Sequence, residues 1–356
     1  MRSRRALAIA GLLLILLLGA CGRPMPTTVK IGLVAPFEGS YRSIGYDAIY
    51  AARLAVQEIN AAGGIDGVRL ELVAYDDRGE TELAERTARN LTSDADVLAV
   101  VGNYRPETSS AASALYAEAN LPMVVLGGWA GGADGIWSMG PSAEVLALAM
   151  RAEAKQQGVV SAAVWGQDAI AEALLASGVP ETASPFDAGL DLVYLTGPAI
   201  AGGEWLIARR AEGWEGSVVG GADLALPGFW QVAGARANGA VFLTAYPFPA
   251  DIEGVEDWVT DYRSMGPHVS PPGPFALPTY ETIYLIADAI AGVLQGDAAL
   301  SREALAGELA DVHRDGWLGE VSWDAQGHWQ AATLYVYCWT EGSPVLVAQA
   351  PAGGSL

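Results

Sequence analysis

The chain has 356 residues, a formal net charge of -21 at pH 7, three histidines and two cysteines. Such an acidic chain is repelled by nucleic-acid backbones and anionic lipid headgroups, which excludes a nucleic-acid-binding protein and argues against direct binding to acidic lipids. Apolar residues make up 51% of the chain, which is ample for two cores, and the length predicts about two domains.

The N-terminus has the layout of a secretory signal peptide. A basic start is followed by an apolar run over 6–18 and then by small residues, and this run is too short for a comfortable membrane span. The segment LGAC, which ends at Cys21, resembles a bacterial lipobox. The resemblance implies that 1–20 are removed, that Cys21 is lipidated, and that 21–28 tether the protein to a membrane. The alternative is an unmodified cysteine in an ordinary signal peptide.

Strands and helices alternate through the next hundred residues. Apolar and alternating runs predict strands at 29–37, 68–77, 97–102 and 122–128. Between them, apolar residues at helical spacing predict helices at 44–62, 80–95 and from Thr108 to about residue 120. Asp76 and Asp77, at the end of the second strand, are interpreted as a strand-end turn.

The same alternation continues after a glycine-rich break at 127–135. We predict helices at 144–158 and 278–296, and strands at 161–166, 191–197, 217–222 and 239–248. The segment 319–339 is predicted to form two strands joined through an Asp-x-x-Gly turn, with Cys338 as a core thiol. Alternating strands and helices indicate mostly parallel sheets covered on both faces.

Several of these segments resemble the type I periplasmic binding proteins, most of all the Leu/Ile/Val-type substrate-binding proteins of ABC importers. The resemblance is carried by VKIGLVAPFEG, by EINAAGGIDG with the strand and YDD that follow, by VVGNYRPETSSAASALYAEANLPMV and by PTYETIYLIADAI. It covers most of 29–340. It implies an α/β fold of two Rossmann-like lobes with helix-covered parallel sheets, a three-crossing hinge and a ligand cleft between the lobes.

The resemblance also implies where each lobe begins and ends. We expect 29–146 plus 247–330 to form the first lobe and 147–246 plus 331–350 to form the second. The second lobe departs from the family pattern, because SAAVWGQD is followed too soon by DLVYLTG. Roughly one strand–helix unit is missing, so a shortened second lobe is expected.

Enzyme and cofactor motifs are missing from the sequence. It contains no Walker A motif, no Gly-x-Ser-x-Gly elbow and no Gly-x-Gly-x-x-Gly loop. His268, His313 and His328 lack partners at metal-binding spacing. The sequence therefore predicts a protein that is not an enzyme and has no metal site and no cofactor.

In the amino-acid binders of this family, the loop after the third strand offers hydroxyl and N–H groups to the ligand carboxylate. Here Pro106 occupies the position of the usual serine and supplies neither group. Tyr104, Arg105 and Thr108 remain as candidates in this loop. Arg105 can grip a carboxylate in bidentate fashion, although an arginine exposed on a loop is the alternative.

The resemblance points to further candidates after other strands. Gly127 keeps the backbone carbonyl that the family offers, and Trp129 replaces a threonine, either as an apolar wall of the site or as core packing. The position of the family's acidic ammonium ligand is Ala222, so Asp223 serves only if its loop shifts by one residue. The aromatic candidates are Tyr41, Trp165 and Tyr246.

Together these features predict an extracytoplasmic lipoprotein that captures a small molecule, an amino acid or a related compound, and delivers it to an ABC permease. Its expected partners are the ligand, the permease and the membrane that holds Cys21. The alternative is a non-transport lipoprotein on the same fold, either a ligand sensor or an activator of a cell-wall synthase. A hydrolase is a third class, which the missing motifs disfavour.

Overall fold

The computed structural model describes residues 28–129, 131–181, 183–296 and 298–352. The predicted signal peptide, the lipidation site Cys21 and nearly all of the tether lie outside the described residues.

The first lobe is built on a sheet of five parallel strands in the order β2-β1-β3-β4-β5. Its central strand, Val97–Val101, is buried from both faces, which explains its continuous apolar sequence VLAVV. The strands are β1 (Thr28–Ala35), β2 (Arg69–Asp76), β3 (Val97–Val101), β4 (Met123–Val125) and β5 (Ile136–Ser138). The helices between them are α1 (Arg42–Ala61), α2 (Thr81–Ser93) and α3 (Pro106–Glu118).

The second lobe carries a six-stranded sheet in the order β13-β12-β9-β8-β7-β6. Four of its strands are parallel to one another: β6 (Ala162–Trp165), β7 (Leu192–Leu195), β8 (Ser217–Gly220) and β9 (Val241–Thr244). The helices of this lobe are α4 (Ala143–Gln156), α5 (Ala169–Ala176), α6 (Ala199–Ala211) and α7 (Pro227–Ala233). Only α5 and an irregular stretch connect β6 to β7. The predicted shortening of this lobe stays a prediction.

The chain then returns to the first lobe. Helices α8 (Glu256–Ser264) and α9 (Ala276–Gln295) pack against α1, and α10 (Arg302–Ala310) packs against α9. A small hairpin of β10 (Arg314–Gly316) and β11 (Gly319–Val321) follows. The last two strands, β12 (Thr333–Thr340) and β13 (Ser343–Pro351), are antiparallel and belong to the second sheet.

The predicted pairing at the C-terminal end is wrong. The Asp-x-x-Gly turn exists, since the N–H of Gly327 donates to the carbonyl of Asp324 over 3.0 Å. The chain on either side of it pairs only through the antiparallel bridge of Trp323 with Trp329. The strands themselves do not form one hairpin, because β11 pairs with β10 and β12 pairs with β9 and β13. The turn instead lies on the connection that returns the chain to the second lobe.

Three connections join the two sheets: one between β5 and α4, one after β9 and one before β12. Helix α4, which contains Leu146, packs with β8 and β9 of the second sheet. The division of the lobes at 146, 246 and 330 stays a prediction.

Candidate functional site

A cavity of about 60 Å³ lies between the two lobes. Its first-lobe wall includes the loops after β3 and β4, and its second-lobe wall includes the loops after β8 and β9. This is the expected place for a ligand, because sites in open α/β sheets form outside the carboxyl ends of the strands. The predicted site residues that line this cavity are Tyr104, Arg105, Gly127, Asp223 and Tyr246.

A wider opening of about 960 Å³ adjoins this cavity, and Arg105 lines both spaces. Tyr41 and Trp165, the two other aromatic candidates, line this wider opening. Trp165 is half-buried and packs on Trp205, with ring centroids 6.0 Å apart. Seven of the nine predicted binding residues are thus brought to one continuous region between the lobes.

The central feature of the site is an ion pair that crosses from lobe to lobe. Nη1 of Arg105 lies 3.1 Å from both carboxylate oxygens of Asp223. The two side chains are only 8% and 13% exposed. Asp223 lies in the short 3-10 turn Ala222–Ala225 after β8, and this turn brings its carboxylate, rather than the position of Ala222, to the arginine.

The ring of Tyr41 packs against the guanidinium of Arg105. The guanidinium carbon of Arg105 lies 3.8 Å from the centre of the Tyr41 ring, which is cation–π geometry. Gly79, with φ +74°, packs beside both residues. A Cβ at this position would stand 2.7 Å from the Tyr41 ring and 3.2 Å from Cδ of Arg105, so a larger residue would disturb the stack.

Two more acidic residues line the same cavity. Oε2 of Glu107 lies 3.5 Å from Nη2 of Arg105, and its Oε1 accepts a 3.0 Å hydrogen bond from the backbone N–H of Ala169. Asp168 lines the cavity and caps α5, because its Oδ1 accepts from the N–H of Ala171. The described residues that line the cavity therefore include one arginine and three acidic residues.

The pKa of Asp223 is raised in these surroundings. Burial raises the pKa of Asp223 to about 6, because the carboxylate loses its hydration. Arg105 counteracts the rise, whereas Asp168 and Glu107 add to it. With one arginine and three acidic residues, the described lining of the cavity contains more acidic than basic groups.

The loops after β3 and β4 are in direct backbone contact. A Cβ on Gly127 would lie 2.0 Å from the carbonyl carbon of Tyr104 and 2.1 Å from the nitrogen of Arg105, so only glycine fits. The N–H of Gly127 donates to the carbonyl of Asn103 over 3.1 Å. Asn103 in turn donates from Nδ2 to the buried carboxylate of Asp77 over 2.6 Å. Asp77 therefore holds this loop in place, consistent with its interpretation as a strand-end residue.

Aromatic side chains close the apolar end of the cavity. The ring of Phe275 stands edge-on to the rings of Tyr104 and Tyr246, each with its centroid at 5.9 Å. The hydroxyl of Tyr246 donates to the carbonyl of Leu126 over 2.8 Å, and that of Tyr104 is 2.7 Å from Oγ1 of Thr279. Burial raises the pKa of both tyrosines, so their hydroxyls stay neutral.

Thr108 requires a correction. Helix α3 begins at Pro106, two residues before the predicted start, which moves Thr108 into its first turn. The side chain is fully buried, and its Oγ1 donates to the carbonyl of Arg105 over 3.2 Å. It does not line the cavity and serves to hold the loop of Arg105.

Trp129 requires a second correction. It is 5% exposed and packs in the first-lobe core with residues such as Val125 and Ile136. It borders a separate groove beside Pro106 and Ala169 and does not line the cavity. Of the two interpretations of Trp129 in the sequence, core packing is the one that fits its place in the structure.

Sequence reasoning missed several residues of the site. Two are the acidic residues Glu107 and Asp168, and Asp168 could have been found from its place directly after the predicted strand at 161–166. The apolar residues carried no such signal, because they look like ordinary core positions. They are Ile44, Leu126, Leu146, Ile170, Leu243 and Phe275.

Comparison with known proteins identifies the family. A sequence profile described as "Periplasmic binding protein" matches residues 28–184 and 183–344, which is most of the chain. The chain belongs to this family of periplasmic binding proteins. The resemblance to the Leu/Ile/Val type is confirmed, as is the prediction of a binding protein rather than an enzyme. Membership also supports an extracytoplasmic location.

Individual relatives agree with this result. The chain is 24% identical to "Leu/Ile/Val-binding protein homolog 3" of Brucella melitensis over 89% of its own length and 93% of that protein. It is 35% identical to an "Amino acid binding protein" of Pseudomonas aeruginosa, over 28% of this chain and only 26% of that protein. The substrate-binding protein LivJ of Streptococcus pneumoniae, solved with isoleucine, matches with a TM-score of 0.76 at 23% identity, covering 91% of this chain and 99% of LivJ. That likeness confirms the fold.

Two features are absent from the described residues. No helix among them is both long enough and apolar enough to span a bilayer. Within the same residues, no group of three or more histidine, cysteine or acidic side chains is arranged to hold a metal ion.

Proposed function

We propose that this protein is an extracytoplasmic solute-binding lipoprotein that delivers a small amino compound to an ABC importer. The observation that carries the proposal is the Arg105–Asp223 pair, which lies at the interlobe cavity and is surrounded by surplus acid. Two relatives of this chain are named as a Leu/Ile/Val-binding protein homolog and an amino acid binding protein. These names favour the same ligand class.

Charge balance favours a ligand that contains an ammonium group. A plain carboxylate that took Arg105 from Asp223 would leave Asp223, Glu107 and Asp168 without a cation, and buried unpaired charges are costly. A zwitterion placed between Arg105 and Asp223 gives each of them a partner. The apolar side chains of Leu146, Ile170 and Phe275 would then face the remainder of the ligand.

The cavity of about 60 Å³ is far below the 300–1,000 Å³ that is usual for small-molecule sites. Entry of a ligand therefore requires the lobes to separate and the ion pair to break. The affinity measured for the ligand is reduced by the free energy that this opening costs.

The anchoring part of the proposal rests on the sequence that ends at Cys21. A tethered binder stays near its permease, and more than one acyl chain is needed for stable attachment. The six residues GRPMPT separate Cys21 from β1.

The deciding experiment is a thermal-shift screen of purified 22–356 against amino acids, primary amines, carboxylic acids and neutral aromatics. A ligand at a hundredfold excess over its Kd adds about 2.7 kcal/mol of stability. We expect zwitterions or amines to stabilise the protein and plain carboxylic acids to have little effect. Stabilisation by carboxylic acids alone would overturn the assignment of the ligand class.

Titration calorimetry on variants then tests the site. Asp223→Asn removes the charge that would hold an ammonium group, and we expect a loss of tenfold or more in affinity, since pairs of this kind contribute about 2 kcal/mol or more. The matched control is Asp66→Asn, because Asp66 is exposed and its φ of 47° is one that asparagine also adopts. Equal affinity in the two variants would place the ligand elsewhere.

A further inference from the structure

A second cavity, of about 970 Å³, opens between the lobes and shares no lining residue with the cleft cavity. Its first-lobe wall contains Tyr46, Asp47 and the proline-rich loop 270–274. Its second-lobe wall contains Trp230 and Trp339. We refer to it as the aromatic cavity.

The first turns of α1 separate the two cavities. Ile44 lines the cleft cavity, whereas Ser43 and Asp47, which are four residues apart and share a face of the helix, line the aromatic cavity. The two sites are therefore neighbours across one helix and are distinct in their side chains.

The second-lobe wall presents a flat aromatic surface. The rings of Trp230 and Trp339 are stacked, with centroids 5.4 Å apart and planes inclined by 23°. Gly342, in the turn between β12 and β13, packs against Trp230, and a Cβ there would stand 3.3 Å from the indole. On the first-lobe wall, Tyr46 is 48% exposed.

The titratable acids of the aromatic cavity are Asp47 and Asp251. The described lining also contains His268 and no lysine or arginine. Oδ1 of Asp47 accepts a hydrogen bond from the N–H of Gly273, and Oδ2 of Asp251 accepts one from the hydroxyl of Tyr337. Aromatic faces combined with carboxylates attract cations that carry a flat ring.

We propose that the aromatic cavity is a second binding site, for a small flat aromatic molecule that carries a basic amine. Its volume and its interlobe position match those of small-molecule sites in general. Since its walls come from both lobes, a molecule bound there holds them at one separation. Its occupancy is thus linked to the opening of the cleft, and the linkage between the two sites is reciprocal.

The test uses three probes that share an indole ring and differ in charge. Tryptamine is a cation, indole is neutral and indole-3-acetate is an anion. Binding is followed by the quenching of tryptophan fluorescence and by calorimetry. We expect affinity to fall in the order tryptamine, indole, indole-3-acetate. Tyr46→Ala and Trp230→Ala should each weaken tryptamine binding, the latter by tenfold or more. Because Tyr46 is partly exposed, its variant remains informative if Trp230→Ala does not fold.

A variant outside both cavities serves as the control. Asp66→Asn should leave tryptamine binding unchanged, because Asp66 is exposed and lines neither cavity. The proposal is overturned if none of the three probes binds the wild-type protein at millimolar concentration. It is equally overturned if Asp223→Asn abolishes tryptamine binding while Tyr46→Ala and Trp230→Ala retain it, since the probe would then occupy the cleft.

Discussion

Glu107 and Ala169 belong to different lobes, and Oε1 of Glu107 accepts a 3.0 Å hydrogen bond from the backbone N–H of Ala169 at the start of α5. With the Arg105–Asp223 pair and the hydrogen bond from Tyr246 to Leu126, this contact forms a set of polar links across the cleft. The closed arrangement is therefore held by the protein's own side chains.

Breaking the ion pair should open the lobes. In Arg105→Gln, Asp223 loses its cation, and the loss of one partner of a buried pair costs about 3–5 kcal/mol. Separation of the lobes lets water reach the carboxylate, so we expect opening rather than unfolding. Small-angle scattering of the ligand-free variant should show a larger radius of gyration than the wild type.

The control for this experiment is Glu107→Gln. Glutamine keeps an oxygen that accepts from the N–H of Ala169, so the lobes should stay closed. Identical scattering curves for Arg105→Gln and the wild type would show that the ion pair does not hold the cleft shut.

Replacing Trp129 should affect stability and not recognition. Trp129 is buried in the first-lobe core, and truncation of such a residue to alanine costs about 3–5 kcal/mol. Denaturant unfolding of Trp129→Ala should show this loss, while calorimetry at a temperature where the variant is folded should give wild-type affinity. A selective loss of affinity at unchanged stability would contradict the placement of Trp129.

The stability of the protein should fall as the pH rises from about 4 to about 7. Burial raises the pKa of Asp47 from its ordinary value of 3.8 to about 7. In this window the folded state keeps a proton that the unfolded state has lost, so each step up in pH favours unfolding. Burial raises the pKa of Asp223 in the same direction.

Asp47→Asn isolates this effect. Asparagine keeps an acceptor for the N–H of Gly273 and cannot ionise. The variant should therefore lose less stability than the wild type between pH 4 and pH 7 when chemical unfolding is measured across that range. Parallel curves for the two proteins would assign the pH dependence to other groups.

Membrane attachment should depend on Cys21 alone. Cys21→Ser removes the thiol that would be acylated, so the protein should leave the membrane fraction or accumulate unprocessed. Cys338→Ser is the matched control, because Cys338 is a free, half-buried thiol on β12 and should not affect fractionation. Membrane attachment that persists in Cys21→Ser would require another anchor.

The sequence predicted the alternation of strands and helices well, because apolar periodicity depends on local burial alone. It failed at β11 and β12, since the choice of pairing partner is decided by the path of the whole chain. β11 pairs with the neighbouring β10, whereas β12 pairs with β9 of the second-lobe sheet.

The lining of the cavity was predictable to the extent that it follows strand ends. Arg105 and Asp223, which were predicted in this way, both line the cavity. The spacing of residues in a sequence does not show the direction in which a loop side chain points. Trp129 therefore packs in the core, although Gly127, two residues earlier in the same loop, lines the cavity. Contacts such as Glu107 with Ala169 join distant parts of the chain and left no pattern in the sequence.

Pro106, at the first position of α3, has a consequence for how the ligand preference of this protein can change. The first turn of a helix offers backbone N–H groups, and proline is the one residue type that removes such a group. In α3 the N–H at position 106 is missing for this reason. In the proposed site, recognition then depends on two replaceable side chains, Arg105 and Asp223. A single substitution at either position alters the charge of that site. This arrangement makes the protein an easy starting point for divergence, in which duplicated copies acquire different solutes without rebuilding a loop.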